Sequence, residues 1–349
     1  MKKLFILAAL CLAAMVGSAQ TGSDQATATL QSGDKVSVFY GRDALKYAYE
    51  AARDSGDVIT LSAGLFNALE IQKSLHIIGN GFVKDEANGK YPTIIKGDLT
   101  FRPGDVTDDD GETTSEAIGY DGTRIEGIMH IGYDRENIEL LGSRTVKDFS
   151  FVKCKLTRGC DVNVNTKGLT IRQCVIADGV YLQYLDLCEK AHENLYIVGS
   201  YIDGIGYHTS DGIVTMDHSI LRYPLNYGKV TNSILSGVAQ GVMAENCIFM
   251  ENTPEYVIGA GNWFDCQYAD IFKNDITELN WNDAENYFEL KYPEEYIGTD
   301  GTQVGLYGGP YPYNPTPTIP QIKENNIDTT VGADGILKVS VTVEAQTEN

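Results

Sequence analysis

Residues 149–249 repeat one degenerate pattern six times, and this repeat constrains the fold more than any other feature of the chain. The template is apolar-x-apolar-x-x-(Cys/Ser)-x-apolar. It reads Phe149, Phe151, Cys154, Leu156, then Leu169, Ile171, Cys174, Ile176, then Leu195, Ile197, Ser200, Ile202. It continues as Val214, Met216, Ser219, Leu221, then Gly228, Val230, Ser233, Leu235, and ends as Val242, Ala244, Cys247, Phe249. Successive copies start 20, 26, 19, 14 and 14 residues apart. Alternation turns two side chains inward from a short strand. The x-x pair breaks the alternation and turns the chain into a second short strand. A constant template at irregular spacing argues for stacked coils with loops of unequal length leaving at the corners, rather than for a sandwich. Like residues then stack about 4.8 Å apart. The Cys/Ser position is small because a corner leaves little room. Asn232 and Asn246, beside it, suit a corner where an amide bonds along the stack.

A different unit precedes the repeat. DALKYAYEAAR (43–53) places Ala44, Leu45, Ala48 and Ala52 on one helical face. GDVITLSAGLF (56–66) and LEIQKSLHIIGNG (69–81) follow as strand-like pieces. This order of short helix, Gly-Asp, strand, Ala-Gly, strand and KSLHIIGNG resembles the N-terminal cap and first coils of pectate-lyase-like right-handed parallel β-helices. TIIKGDLTF (93–101) and TRIEGIMHI (123–131) look like further coils. The segment 298–322 with DGILKVSVTVEAQ (334–346) is similar to the ends of secreted β-helix proteins of Bacteroidetes. Five prolines between 310 and 320 argue against regular structure there, and the alternation of Leu337, Val339, Val341 and Val343 predicts a hairpin with residues 322–331. The expected fold is all-β: a right-handed parallel β-helix with an N-terminal capping helix and a C-terminal closing segment. Its expected divisions are a leader over 1–19, the capped solenoid over 40–300, and the Gly/Pro-rich segment with its hairpin over 301–349.

Lys2 and Lys3, the apolar run from Leu4 to Val16 and the small residues Gly17-Ser18-Ala19 read as a secretion signal. The run is too short to span a membrane comfortably. Leu10 before Cys11 disfavours a lipoprotein junction. The expected location is periplasmic, extracellular or at the cell surface. The 349 residues carry a net charge of −21, which argues against nucleic acid or an anionic membrane as partner. Gly at 36 and Tyr at 21 are high and fit a turn-rich β protein. The six cysteines past the leader form no CxxC and no zinc spacing, and three of them sit at the small template position as buried thiols.

No complete catalytic signature is present. The hydrolases that the resemblance brings in would show an Asp-Asp pair and a Gly-His-Gly, and neither occurs. The Asp108-Asp109-Asp110 run does not fit an EF-hand and reads as an exposed loop. VTMDHS (214–219) and Arg222-Tyr223-Pro224 look like fragments of pectate lyase motifs. The second arginine expected after the proline is Tyr227, and the two fragments stand too close together. His218 falls in the corner pair and reads as a turn hydrogen-bonder. Asp203, Tyr207, His208 and Asp211 gather carboxylates, an imidazole and a phenol in one loop, and with Arg222 they are the candidate catalytic residues; a solvated turn competes with that reading. Asp161, Asn163 and Asn165 alternate along a strand and are the calcium candidates, against a plain Asn/Asp ladder. No cofactor is required; calcium is the one ion that the resemblance brings in as an option. Tyr181, Tyr184, Tyr196 and Tyr223 are candidate sugar-stacking rings.

One outward stripe is unusual. Lys155, Val175, Tyr201, Ile220, Ile234 and Ile248 should face away from the coils, and four of the six are branched aliphatics. Such a stripe marks a contact. It is expected to lie under the C-terminal segment (about 255–330) or under a second subunit, through self-association at Ile220, Ile234 and Ile248. The functional expectation is an exported, carbohydrate-associated scaffold or glycan binder; the alternative is a polysaccharide lyase or glycoside hydrolase of the pectate-lyase-like group. The acidity favours a neutral glycan, or an acidic one bridged by calcium.

Overall fold

The computed structural model describes residues 26–53, 55–86, 90–107, 113–132, 137–177, 184–187, 191–206, 214–238, 240–283, 287–327 and 339–344. The chain cycles through three long sheets, and the middle coils add a strand to a fourth, three-stranded parallel sheet (Val146–Lys147, Thr166–Lys167, His192–Glu193). The first sheet has twelve strands, the second nine and the third six. From Ser55–Leu61 to Val257–Ile258, neighbouring strands of the first sheet run parallel. The protein is a parallel β-helix.

The inward columns follow the template. Phe151, Ile171, Ile197, Met216, Val230 and Ala244 pair in register down the first sheet. Leu156, Ile176, Ile202, Leu221, Leu235 and Phe249 do the same in the second. All are buried in one apolar core. Parallel strands admit no slip here, because a one-residue shift would turn each column to solvent. The third sheet ends at Gly204–Ile205, so the last coils keep two strands and shorten to 14 residues. In their third position, among the described residues, stands an isolated bridge between Leu225 and Val238.

The N-terminal end is closed by helix α1 (Ala44–Ala51), which buries Ala44, Leu45 and Ala48 in the same core as the first coil. A feature that the sequence reading left unassigned precedes it. Strands Thr27–Ser32 and Lys35–Tyr40 form a hairpin added antiparallel to the first sheet. Downstream, Gln321–Ile327 pairs antiparallel with Val339–Glu344.

The outward stripe is covered by the chain itself. Val175, Tyr201, Ile220, Ile234 and Ile248 form a second apolar cluster with Ile271, Phe272, Leu279, Trp281, Phe288, Leu290, Val304 and Leu306. Ile220, Ile234 and Ile248 are fully buried, so the stripe offers no surface for the self-association expected as the other outcome. Lys155 reaches out of the same stripe to the Asp283 carboxylate at 2.8 Å.

Candidate functional site

The third sheet presents an outward column that its sequence disguises. Glu70 stands opposite Thr100, Thr100 opposite Glu139, Glu139 opposite Asp161, and Asp161 opposite Asp186. Each is flanked by inward apolar residues: Ile138 and Leu140 around Glu139, Cys160 and Val162 around Asp161, Leu185 and Leu187 around Asp186. Alternation therefore turns this position outward in each of these coils, and at Glu70, Glu139, Asp161 and Asp186 it is an acid. The column ends at Gly206, whose position beside Asp186 carries no side chain; a Cβ there would lie 3.4 Å from Asp186 Oδ1. Asn137 lies two residues before Glu139, and its amide donates to Asp161 Oδ2 at 2.6 Å.

Like charges directly opposite one another destabilise a sheet. The ionisation of these groups reflects this. Burial, and then the charges of Asp161 and Asp98, push Glu139 above the usual carboxylate range. Burial and the charge of Asp186 raise Asp161 as well, against the hydrogen bond from Asn137. Carboxyls set side by side on a half-buried face offer a row of oxygens to which hydroxyl groups can donate.

Of the calcium candidates, Asp161 and Asn163 lie on this strand and Asn165 lies just past it. Asn163 is exposed, and Asn165 Oδ1 accepts the Ala191 N–H at 3.0 Å. Among the described residues no three His, Cys, Asp or Glu side chains are placed to hold a metal ion.

A second polar cluster sits where the second sheet turns away. Asp203 is 1% exposed, and its Oδ1 lies 2.5 Å from the Tyr201 hydroxyl. The same hydroxyl accepts the Trp281 N–H at 3.2 Å. Burial and the Asp203 charge hold the phenol proton far above its usual range. Arg222 Nη1 lies 3.5 Å from Asp203 Oδ2, and its Nη2 bonds Glu278 at 3.0 Å. Burial works against the Arg222 cation, but Glu278 and Asp203 outweigh it and raise its pKa. Arg222 is thus held between two carboxylates, Asp203 and Glu278. Of the loop cluster read from sequence, Tyr207, His208 and Asp211 lie outside the described residues, as do Asp108-Asp109-Asp110 and the side chains of Tyr181 and Tyr184. Tyr196 and Tyr223 are exposed, at 41% and 38%.

His218 is buried at a corner. Its Nε2 is 3.1 Å from Thr302 Oγ1 and its Nδ1 is 3.0 Å from Asp217 Oδ2. Burial tends to raise Asp217, but hydrogen bonds from His218, Thr231 and Asn232 prevail and hold it below the usual range. Gly308 and Gly309 close over the imidazole, where a Cβ on either would come within 2.7 Å of the ring.

Sequence reasoning missed Glu139, Asp186, Asn137, Tyr201 as a polar group, and Glu278. The signal for the first two was present as an apolar–acid–apolar triplet in successive coils, obscured by loops of unequal length between them. No family model, no curated protein and no solved structure matches the chain.

Proposed function

We propose that this protein is an exported glycan-binding β-helix of the pectate-lyase-like kind, and that the outer face of its third sheet is the binding surface. The observation that supports this most is the in-register run of Glu139, Asp161 and Asp186. A sheet tolerates three opposed carboxylates at a cost, and a ligand rich in hydroxyl donors relieves it by bonding each carboxyl without adding charge. The coil spacing repeats the same acceptor about every 4.8 Å, which suits an extended polymer better than a compact ligand. The net charge of −21 favours a neutral polysaccharide over a polyanion.

The test is retention of the full chain on a panel of immobilised neutral and uronate glycans, with calcium and with a chelator. Retention on neutral glycans that falls at least about tenfold in Glu139→Gln/Asp161→Asn supports the reading. Retention unaffected by the double substitution, or no retention at all, removes it.

A second reading rests on the same pair. Glu139 and Asp161 both hold raised pKa values and stand one strand apart, about 4.8 Å between backbones. Retaining glycosidases place two carboxyls about 5–5.5 Å apart. New reducing ends from a neutral glycan, lost in Glu139→Gln, would favour hydrolysis; an unsaturated product from a uronate polymer would favour a lyase.

A further inference from the structure

The corner between the first and second sheets carries one left-handed residue per coil: Gly127, Lys153, Gln173, Gly199, His218, Asn232 and Asn246, with φ from 43° to 63°. Glycine or asparagine adopts this conformation most readily. Lys153, Gln173 and His218 nevertheless occupy it, and all three are buried. What these corners share is contact with one segment of the C-terminal region. Asn246 Nδ2 donates to the Ile297 carbonyl at 2.8 Å, and Asn232 Oδ1 accepts the Thr299 N–H at 2.7 Å. His218 meets Thr302, Gln173 Nε2 donates to the Pro312 carbonyl at 2.5 Å, and Lys153 Nζ donates to the Thr316 carbonyl at 2.7 Å. Glu126, next to Gly127, accepts the Thr318 N–H at 2.6 Å.

Where the corner is glycine, the segment itself moves in. Tyr311 O lies against Gly199, and Pro317 against Gly127. The partner's residue number rises from 297 to 318 as the coils run backward from Asn246 to Gly127. The segment therefore runs along seven successive corners, against the direction of coiling. Its composition fits the task. Prolines bring no N–H that would need an acceptor, and the peptide carbonyls between them face the donors of the corner side chains.

We infer that residues 297–318 are an axial clasp that makes the coils open as one cooperative unit. In an unclasped solenoid each coil senses only its neighbours, and the ends loosen independently. Here one segment is fixed to both the early and the late coils, so freeing one end weakens its hold at the other. The clasp also carries Val304 and Leu306 onto the stripe at Ile220, Ile234 and Ile248, so that its release would uncover that apolar surface.

Hydrogen exchange on the full chain tests this. Asn232→Ala removes the acceptor for Thr299. Exchange in Arg124–Glu126 and Ser150–Val152, four to five coils away, should accelerate at least about tenfold. Acceleration confined to the coils of Asp217, Asn232 and Asn246 would overturn the clasp. The unsubstituted chain gives a second measurement should the variant not fold. Guanidinium unfolding is followed by the fluorescence of Trp281, which lies in the C-terminal cover, with Trp263 reporting the last coil where it pairs with Ile248, and by far-ultraviolet circular dichroism of the coils. Coincident transitions support the clasp; loss of the cover while the coils persist refutes it.

Discussion

The Ser219 backbone N–H donates to the Ser233 hydroxyl of the next coil at 3.0 Å. The relation repeats along the column. Cys174 N–H donates to Ser200 Oγ at 3.0 Å, and Ser200 N–H to Ser219 Oγ at 3.2 Å. Each hydroxyl in turn donates within its own coil, Ser233 to the Thr231 carbonyl at 2.7 Å. Smallness therefore explains only half of the Cys/Ser choice; the other half is an acceptor for the coil before. Ser233→Ala leaves the buried Ser219 N–H without this partner and should lower stability by about 1–3 kcal/mol in urea unfolding. Ser233→Cys, which keeps an acceptor of similar size, should cost less. Equal losses in the two variants would assign the effect to volume alone.

The described cysteines are free thiols. Burial pushes the Cys247 thiol up to about 12, and burial together with Cys174 raises Cys154 well above its usual value. The thiolate is the reactive form. Alkylation of the native protein at pH 8, mapped by peptide, should therefore leave Cys154 and Cys247 unmodified and reach half-buried Cys266 before either of them. Modification of Cys154 before global unfolding would contradict the closed corner.

The inward half of this fold was legible because it obeys period two. Ile171 and Cys174 read as core from spacing alone, and the stripe of Ile220, Ile234 and Ile248 read as covered because exposed aliphatics of that length need a partner. The acidic column was not legible in the same way. Glu139, Asp161 and Asp186 stand in register only after loops of unequal length are removed, and spacing along the chain carries no trace of that. The clasp was hidden for a different reason. Lys153 and Thr316 are 163 residues apart, and nothing in a Pro/Gly-rich segment states which surface it will follow. The amide expected to bond along the stack does so at Asn232, which donates to Asp217 Oδ1 at 2.9 Å, whereas Asn246 turns to the clasp.

Tyr201 joins the coils to their cover through one oxygen. Its ring stacks on Phe288 with centroids 5.6 Å apart, while its hydroxyl meets Asp203 and the Trp281 N–H. Tyr201→Phe preserves the stack but removes the hydroxyl from its three buried partners, Asp203, the Leu279 carbonyl and the Trp281 N–H. The expected loss is about 1–3 kcal/mol in denaturant unfolding, with a shift in Trp281 emission. A neutral outcome would mean that water replaces the hydroxyl and that the cluster is looser than its distances imply.

The acidic column gives a pH signature of known sign. Glu139 and Asp161 have folded pKa values above their unfolded ones, so the folded state binds their protons more tightly. Their contribution to stability is fully present below the unfolded carboxylate range, near pH 4, and is lost as the pH rises through the elevated folded values. Glu139→Gln removes that loss. It should raise Tm at pH 7 by about 1–2 °C, the effect of relieving one opposed pair worth a few tenths to 1 kcal/mol in a chain of this size. At pH 3, where both residues are protonated in either state, the difference should vanish. A gain that persists unchanged at pH 3 would trace to packing rather than charge. If the same substitution stabilises the chain at pH 7 and also abolishes glycan retention, the column is a site maintained against its own repulsion.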